Sequence, residues 1–260
     1  MGTNRFLKGC RSLANRAVSM AGYRKVRTQQ GLIFWPENDW GFDPWCDLAR
    51  IHKNKNGAVT VLDVGANVGQ SILNVMDFFP SAKILSFEPD PRVFTELREV
   101  TRRFKDCTAF PFALGAEETH LQLRCSEASV GNSFLAVDAD IPDEIRSTWN
   151  SGLGAVRVPV RRLDTVCKDL ALSTVDILKI DVQGYELSVL EGAGSMLTPV
   201  GIRSVLLEIG LVPIYEHQAT ADQLFSLFAT RGYSLVSLYP AWRLADGRMG
   251  WCDALFSVAP

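Results

Sequence analysis

The sequence predicts an α/β fold built on a mostly parallel sheet, and three observations carry that reading. Apolar runs alternate with helical patterns through the middle of the chain. A glycine-bearing turn joins the first run to the first helix, and an acidic residue closes the second run about twenty residues later.

The first run is Val59 to Val64, followed by a helical pattern from Val68 to Phe78. The second is Lys83 to Phe87, followed by a helix opened by Pro91. Strand, helix, strand, helix in succession calls for a parallel sheet with right-handed crossovers. A third short strand is expected around Thr108 to Pro111, but the next parallel strand, Val175 to Ile180, lies more than sixty residues further on. An insertion, residues 116–170, therefore interrupts the winding. Within it His120 to Arg124 and Ala155 to Val160 read as strands, while Glu127 to Asn150 is rich in Ser, Gly, Asn and Asp. A polar loop of that length is expected either to cover a site or to be an excursion without a role. Downstream come a helix over Tyr185 to Glu191 ended by Gly192 and Gly194, a strand at Arg203 to Ile209 and a helix at Ala221 to Thr230. Two β-rich runs, Tyr233 to Tyr239 and Cys252 to Val258, flank a loop containing Asp246 and Gly247, so an antiparallel pair should close the sheet.

These elements occupy 51–260, the expected main domain. Residues 1–50 read as an extension, basic and partly helical at first and then an aromatic loop. Arg5, Lys8, Arg11, Arg16, Arg24, Lys25 and Arg27 all precede the first acidic residue, Glu37. Phe6, Cys10, Leu13, Ala17 and Met20 recur at helical spacing, which allows a basic amphipathic helix lying on a membrane surface or simply a helix packed on its own domain. From Phe34 to Trp45 aromatic residues are broken by Pro36, Gly41 and Pro44, which reads as loop, and Trp35, Trp40 and Trp45 are candidates to stack on a flat or sugar-like molecule. A formal net charge of −2 with mixed signs gives no overall attraction to nucleic acid, and no run is apolar enough to span a bilayer. The six cysteines are scattered without metal-ligand spacing, which fits reduced thiols in a cytoplasmic setting, peripheral to a membrane if the arm docks there.

In VLDVGANVGQ, Val61 to Gln70, a buried strand ends in Asp63 and turns through Gly65 and Gly69 into a helix. Glycine lets a backbone approach a ligand closely, and helix amides at such a turn suit an anionic group. In SFEPDP, Ser86 to Pro91, Glu88 stands at a strand tip where a carboxylate can accept both hydroxyls of a ribose. The two motifs together call for a bound adenosine compound, either a nicotinamide nucleotide or S-adenosylmethionine. Asn67 replaces the second glycine that a pyrophosphate-binding turn needs, and the closing antiparallel pair departs from an all-parallel dinucleotide domain. Both features favour the methyl donor, as does the long string LKIDVQGYELSVLEGA, Leu178 to Ala193.

With FALG at Phe112 to Gly115 and LLEI at Leu206 to Ile209, these strings resemble, in order, the blocks of the FkbM family of methyltransferases. The resemblance runs from about Val59 to Val258. It implies a seven-stranded class I methyltransferase fold, Rossmann-like, with S-adenosylmethionine as donor and O-methylation of a small molecule, sugar or glycoconjugate. Carried over residue by residue, it implies that Asp63, Gly65, Ala66, Asn67 and Gly69 hold the methionine end of the donor. Glu88 would hold the ribose with Pro89 shaping its turn, and Ala113 and Leu114 would lie near the adenine.

Open α/β sheets bind ligands at the carboxyl ends of their strands, where Asp181 and Glu208 stand. One expectation is that Asp181 or His217 accepts the hydroxyl proton. Another is that Asp181 and Glu208 hold a divalent cation such as Mg2+ that lowers the pKa of the acceptor. The plain alternative for Asp181 is a cap on the Val182 to Tyr185 amides. Ser129, Asn132 and Ser133 are the insertion residues expected nearest the cleft. The rival readings are a nucleotide-dependent oxidoreductase and a noncatalytic binding protein that keeps the fold.

Overall fold

The computed structural model describes residues 23–28, 31–36, 39–55, 58–141, 145–146 and 152–258. The helical stripe from Phe6 to Met20, with the membrane contact expected of it, lies outside the described residues. The chain divides into two compact units, Met1–Asp43 and Pro44–Pro260. In the first, β1 (Tyr23–Thr28) and β2 (Gly31–Pro36) form an antiparallel hairpin in which Tyr23 pairs with Pro36 and Thr28 with Gly31.

The aromatic stretch expected to be loop is thus corrected at both ends. Phe34 and Trp35 pair with Lys25 and Arg24 in the hairpin, and Pro36 is tolerated because it is the last residue of its strand. Pro44 opens helix α1 (Pro44–Ile51), a position where its missing N–H costs nothing. Trp45 is packed into the core at 7 % exposure, which removes it as a stacking surface.

The second unit is organised by β3 (Thr60–Val64), β4 (Lys83–Phe87), β5 (Cys107–Phe110), β9 (Val175–Ile180), β10 (Ile202–Gly210), β11 (Ser234–Arg243) and β12 (Met249–Ser257). They make one seven-stranded sheet in the order β11-β12-β10-β9-β3-β4-β5. β3, β4, β5, β9 and β10 run parallel, and β12 and β11 close the sheet antiparallel. The central strands are buried along nearly their whole length, which explains their unbroken apolar runs.

Successive side chains point to opposite faces of a strand, and the core divides accordingly. Leu62, Val64, Leu85, Leu178, Ile180, Val205 and Leu207 pack in one layer, which also holds residues of α4 (Leu163–Asp169), α5 (Glu186–Gly192) and α6 (Ala221–Thr230). Val61, Ile84, Ile177, Leu206 and Leu255 pack in the other, with α1, α2 (Gln70–Phe78) and α3 (Pro91–Thr101).

On this second face the register changes character toward the carboxyl ends. Ile84, Val61 and Ile177 lie side by side in one row. The next row reads Ser86, Asp63, Lys179, Leu206, and the one after it aligns Glu208 with Asp253 and Tyr239. Beyond that, Gly210 faces Trp251, which faces Trp242. The same pleat that buries aliphatic residues lower down therefore delivers a file of polar groups at one edge.

The insertion contains β7 (Thr119–Ser126) and β8 (Gly152–Arg161), an antiparallel pair that joins β6 (Ala113–Leu114) in a small sheet. After a short 3-10 turn at Ser129–Gly131 the chain reaches the segment following β10. There Val137 bridges Tyr215, Asp138 N–H donates to the Ile214 carbonyl at 2.9 Å and Glu216 N–H to the Ala136 carbonyl at 2.8 Å. A satellite apolar cluster including Ile141, Ile145, Val212, Ile214, Tyr215 and Leu244 seals this junction. Among the described residues no helix is long and apolar enough to cross a membrane, and Cys46, Cys107, Cys125, Cys167 and Cys252 are all free thiols.

Candidate active site

The turn from β3 into α2 is shaped by backbone conformations that few side chains tolerate. Gly65 has φ +78°, and a Cβ there would stand 1.8 Å from the Asp181 carbonyl oxygen. Only glycine lets β3 and β9 come this close. The Gly65 and Ala66 amides donate to the Phe87 carbonyl at 3.0 and 3.1 Å, fastening the turn to β4. Asn67, at φ +48°, accepts the Val68 N–H at 2.8 Å through its side chain, the local bond that lets asparagine hold a left-handed conformation. Its own N–H donates to Glu88 Oε2 at 2.9 Å, and its amide nitrogen donates to Ser129 Oγ of the insertion at 3.0 Å.

Glu88 is 6 % exposed and also accepts the Asp90 N–H at 2.8 Å. Burial pushes its carboxyl up to about 7, against the two amide bonds that favour the charged form. Beside it Asp90 caps α3. Burial opposes the Asp90 charge, but hydrogen bonds from Arg92 outweigh burial and hold the group below the usual aspartate range. Asn132 donates to Asp90 at 2.6 Å and accepts the Ser126 N–H at 2.8 Å, so the insertion is pinned to the turn after β4.

At the ends of β9 and β10 the polar file converges. Lys179 lies 3.6 Å from Asp63 and 3.3 Å from Asp181. Burial alone would lower Lys179, but Asp181, Asp63 and Asp253 around it prevail and raise it above the ordinary lysine value. Asp63 is 1 % exposed and neither of its oxygens accepts a hydrogen bond of ordinary geometry, so burial raises it despite the ammonium. Gln183 donates from Nε2 to Asp181 and to Glu208, at 3.1 Å in each case. Burial, then the nearby charges of Asp181, Glu186 and Asp253, hold Glu208 well above the usual carboxylate range. Asp253 is pushed up to about 6, by burial first and Asp181 second.

Asp181 does not cap the following turn. That work falls to Glu186, which accepts the Gly184 N–H at 3.1 Å and the Val182 N–H at 3.3 Å and is raised to about 7 by burial. Asp181, with its side chain 40 % exposed, is left facing open space.

That space is a cavity of about 400 Å³. Gly65, Ala66, Asn67, Glu88, Pro89, Ala113 and Leu114 line one end of it, together with Ser129 and Asn132 of the insertion, and Asp181, Gln183, Glu208 and Trp251 line the other. Asp63 and Gly69 are not in the wall. Asp63 lies one residue before the wall residue Val64, and Gly69, at φ +93°, precedes the first residue of α2. His217 is exposed at φ +63° in the segment after β10 and does not reach the cavity. The walls suit an adenosine compound: Leu114 and Leu123 are apolar, Glu88 offers a carboxylate, and the Gly65 backbone leaves close access. A divalent cation does not fit. Gln183 places an NH2 between Asp181 and Glu208, and Lys179 already holds Asp181, so both carboxylates are paired with donors. Among the described residues no set of three or more His, Cys, Asp or Glu could hold a metal ion, and nothing supports the expectation that Asp181 and Glu208 bind one.

The methyltransferase FkbM domain model matches residues 63–235, about two thirds of the chain. The chain belongs to the FkbM methyltransferase family. It is accordingly an S-adenosylmethionine-dependent methyltransferase, and the oxidoreductase reading falls. Among its relatives is the 2-O-methyltransferase NoeI of Sinorhizobium fredii, 27 % identical over 188 residues, covering 69 % of this chain and 74 % of that protein. Methyltransferase sdnD of Sordaria araneosa is 26 % identical over 222 residues, covering 75 % and 80 %. The crystal structure of an FkbM methyltransferase from Methylobacillus flagellatus shares the fold at a TM-score of 0.50 and 16 % identity. That match covers 77 % of this chain and 44 % of the other, so this chain spans less than half of that larger protein.

This FkbM-family site includes residues to which the sequence reading gave no role. Lys179 and Gln183 lie inside LKIDVQGYE, and strand periodicity alone would have put Lys179 on the same face as Asp181. Tyr215, Asp253 and Trp251 carried no local signal, since only the pairing of β10 with β12 and the path of the following segment bring them in.

Proposed function

We propose that the protein transfers a methyl group from S-adenosylmethionine to a hydroxyl oxygen of a small polyhydroxylated or glycosylated molecule. The observation that carries this reading is the single cavity running from Glu88 and the glycine turn to Asp181, Gln183, Glu208 and Trp251. Its first half suits the donor. Its second half offers the carboxyl oxygens of Asp181 and Glu208, beside an indole whose plane is fixed by stacking on Trp242 at 4.5 Å. Several hydroxyls on one molecule would satisfy those acceptors while its C–H face rests on the ring. NoeI, a relative named as a 2-O-methyltransferase, supports oxygen as the methylated atom.

When bound, the donor supplies a methyl group on a sulfonium that departs as a neutral thioether. The chain's own part is to align, to take a proton and to exclude water. In this reading Glu88 accepts the ribose hydroxyls and the Gly65 and Ala66 backbone bounds the methionine end. Asp181 takes the proton from the attacking hydroxyl as the oxygen bonds to the methyl carbon. Lys179 holds Asp181 in place at 3.3 Å, and Glu208 binds a second hydroxyl of the acceptor. Ser129 and Asn132 cover the donor from the insertion side.

The test joins calorimetry with S-adenosylhomocysteine to a panel of methyl pyranosides, polyols and simple phenols incubated with labelled donor. Binding of S-adenosylhomocysteine with methyl gain on a pyranoside or polyol oxygen is expected. Methylation confined to nitrogen, or to the phenols, would overturn the acceptor assignment, and absence of S-adenosylhomocysteine binding would overturn the donor site.

A further inference from the structure

Residues Gln183 and Gly184 form consecutive left-handed turns, at φ +54° and +92°. Glycine adopts this conformation freely, but an unbranched amide side chain does so only when its surroundings hold it there. Two segments do. From the insertion, Ser133 Oγ donates to the Gln183 carbonyl at 2.6 Å while accepting the Leu135 N–H at 3.1 Å. From the segment after β10, the Tyr215 hydroxyl donates to Gln183 Oε1 at 3.1 Å. Gly184 is packed so tightly beneath them that a Cβ would lie 2.9 Å from Tyr215 Cδ2 and 3.2 Å from Leu135 Cδ1.

The side chain has one consistent orientation. Carboxylates accept, so the amide nitrogen must face Asp181 and Glu208, which leaves Oε1 for the tyrosine hydroxyl. Tyr215 is itself fixed, being 3 % exposed, with its N–H donating to Gln218 Oε1 at 2.9 Å. The backbone bonds from Asp138 and Glu216 then tie the insertion to this same segment. Three hydrogen bonds that anchor the insertion there thus end on Gln183 or on the segment carrying Tyr215.

We propose that Gln183 is a positioning residue, clamped by Ser133 and Tyr215, that makes docking of the insertion and the arrangement of Asp181 and Glu208 a single event. Its effect on turnover rests on the proposed function, because it requires Asp181 and Glu208 to face the acceptor. Its effect on the insertion does not. A docked insertion orders the turn, the turn fixes the amide, and the amide sets both carboxylates. An open insertion leaves the pair free to separate.

Hydrogen–deuterium exchange on the full chain loaded with S-adenosylhomocysteine reads the docking directly. In Gln183→Leu, and separately in Tyr215→Phe, exchange across 133–141 should rise by roughly fivefold, the loss of one or two hydrogen bonds, while exchange across 84–90 stays unchanged. Turnover on an acceptor identified from the pyranoside panel reads the rest. Gln183→Leu should lose about a hundredfold in kcat with donor affinity within about threefold of the parent. Tyr215→Phe should lose about tenfold in the parent but nothing further when added to Gln183→Leu, since it acts through that residue. Equal losses from Tyr215→Phe in both backgrounds, or unchanged exchange across 133–141 in the variants, would overturn the coupling. Should Gln183→Leu not fold, exchange in Tyr215→Phe and Ser133→Ala decides it, with unaltered protection in both refuting the clamp. If no acceptor is turned over, exchange alone decides, so a failed acceptor assignment is not mistaken for a failed clamp.

Discussion

Replacing Glu88 by glutamine changes two things with opposite signs, and both can be measured. In the free protein the buried carboxyl titrates near 7 instead of 4.5. That difference corresponds to about 3 kcal/mol between the protonation states. Because the folded state holds the proton more tightly than the unfolded chain, the stabilisation is complete below about 4.5 and is lost as pH rises through about 7. Glutamine carries no such penalty. The stability of Glu88→Gln relative to the parent should therefore increase between pH 5 and pH 8, by up to about 3 kcal/mol, roughly 6–10 °C in Tm. The amide sacrifices one of the two acceptors now used by Asn67 and Asp90, which shifts the whole curve downward without changing its slope. Donor binding should move the other way. If Glu88 holds the ribose as proposed, loss of its charge-assisted bonds should weaken S-adenosylhomocysteine by about tenfold to a hundredfold at pH 8. Thermal scans across pH and calorimetry with S-adenosylhomocysteine are sufficient. A stability difference that stays flat from pH 5 to pH 8, or an unchanged Kd, would refute the assigned burial and role of Glu88.

Three further outcomes are expected. Gly65→Ala drives a Cβ to within 1.8 Å of the Asp181 carbonyl and should cost about 3 kcal/mol or more in urea unfolding, and a near-neutral effect would contradict the close approach of β3 and β9. Lys179→Met leaves buried Asp63 without its ammonium and should destabilise by about 3–5 kcal/mol at pH 8, with the loss shrinking at low pH as Asp63 takes up a proton; equal losses at both pH values would argue against the pair. Asp181→Asn should keep donor affinity yet lose turnover by about a hundredfold or more, while chelation followed by added magnesium should leave parental turnover unaltered. Full activity in that variant would remove Asp181 as the base, and restoration by magnesium would reinstate a metal.

Much of the scaffold was legible because the central strands are buried on both faces and so appear as uninterrupted apolar runs. The strands Lys83–Phe87 and Val175–Ile180 and the helix Ala221–Thr230 fall where the pattern puts them, and the other strands of the sheet differ by a few residues at their ends. Asp63 and Glu88 stood out because a carboxylate at the tip of such a run has to be explained. The hairpin was missed because Pro36 resembles a loop residue, although a proline at a strand end forfeits no ladder bond. Glu186 was overlooked as the cap because Asp181 precedes the turn, as a capping residue ordinarily does, and only the backbone path aims the Val182 and Gly184 amides at the later residue.

By itself the sequence determined the winding of the sheet, the glycine turn and the acid opposite it, because each follows from short-range periodicity and local backbone freedom. The tertiary structure decided which groups share the other end of the cavity. Lys179, Gln183, Glu208 and Trp251 meet there because strand register and a returning insertion bring residues far apart in the chain within hydrogen-bonding or packing distance. No local pattern encodes such a meeting, since it depends on how whole elements pair rather than on what each prefers alone.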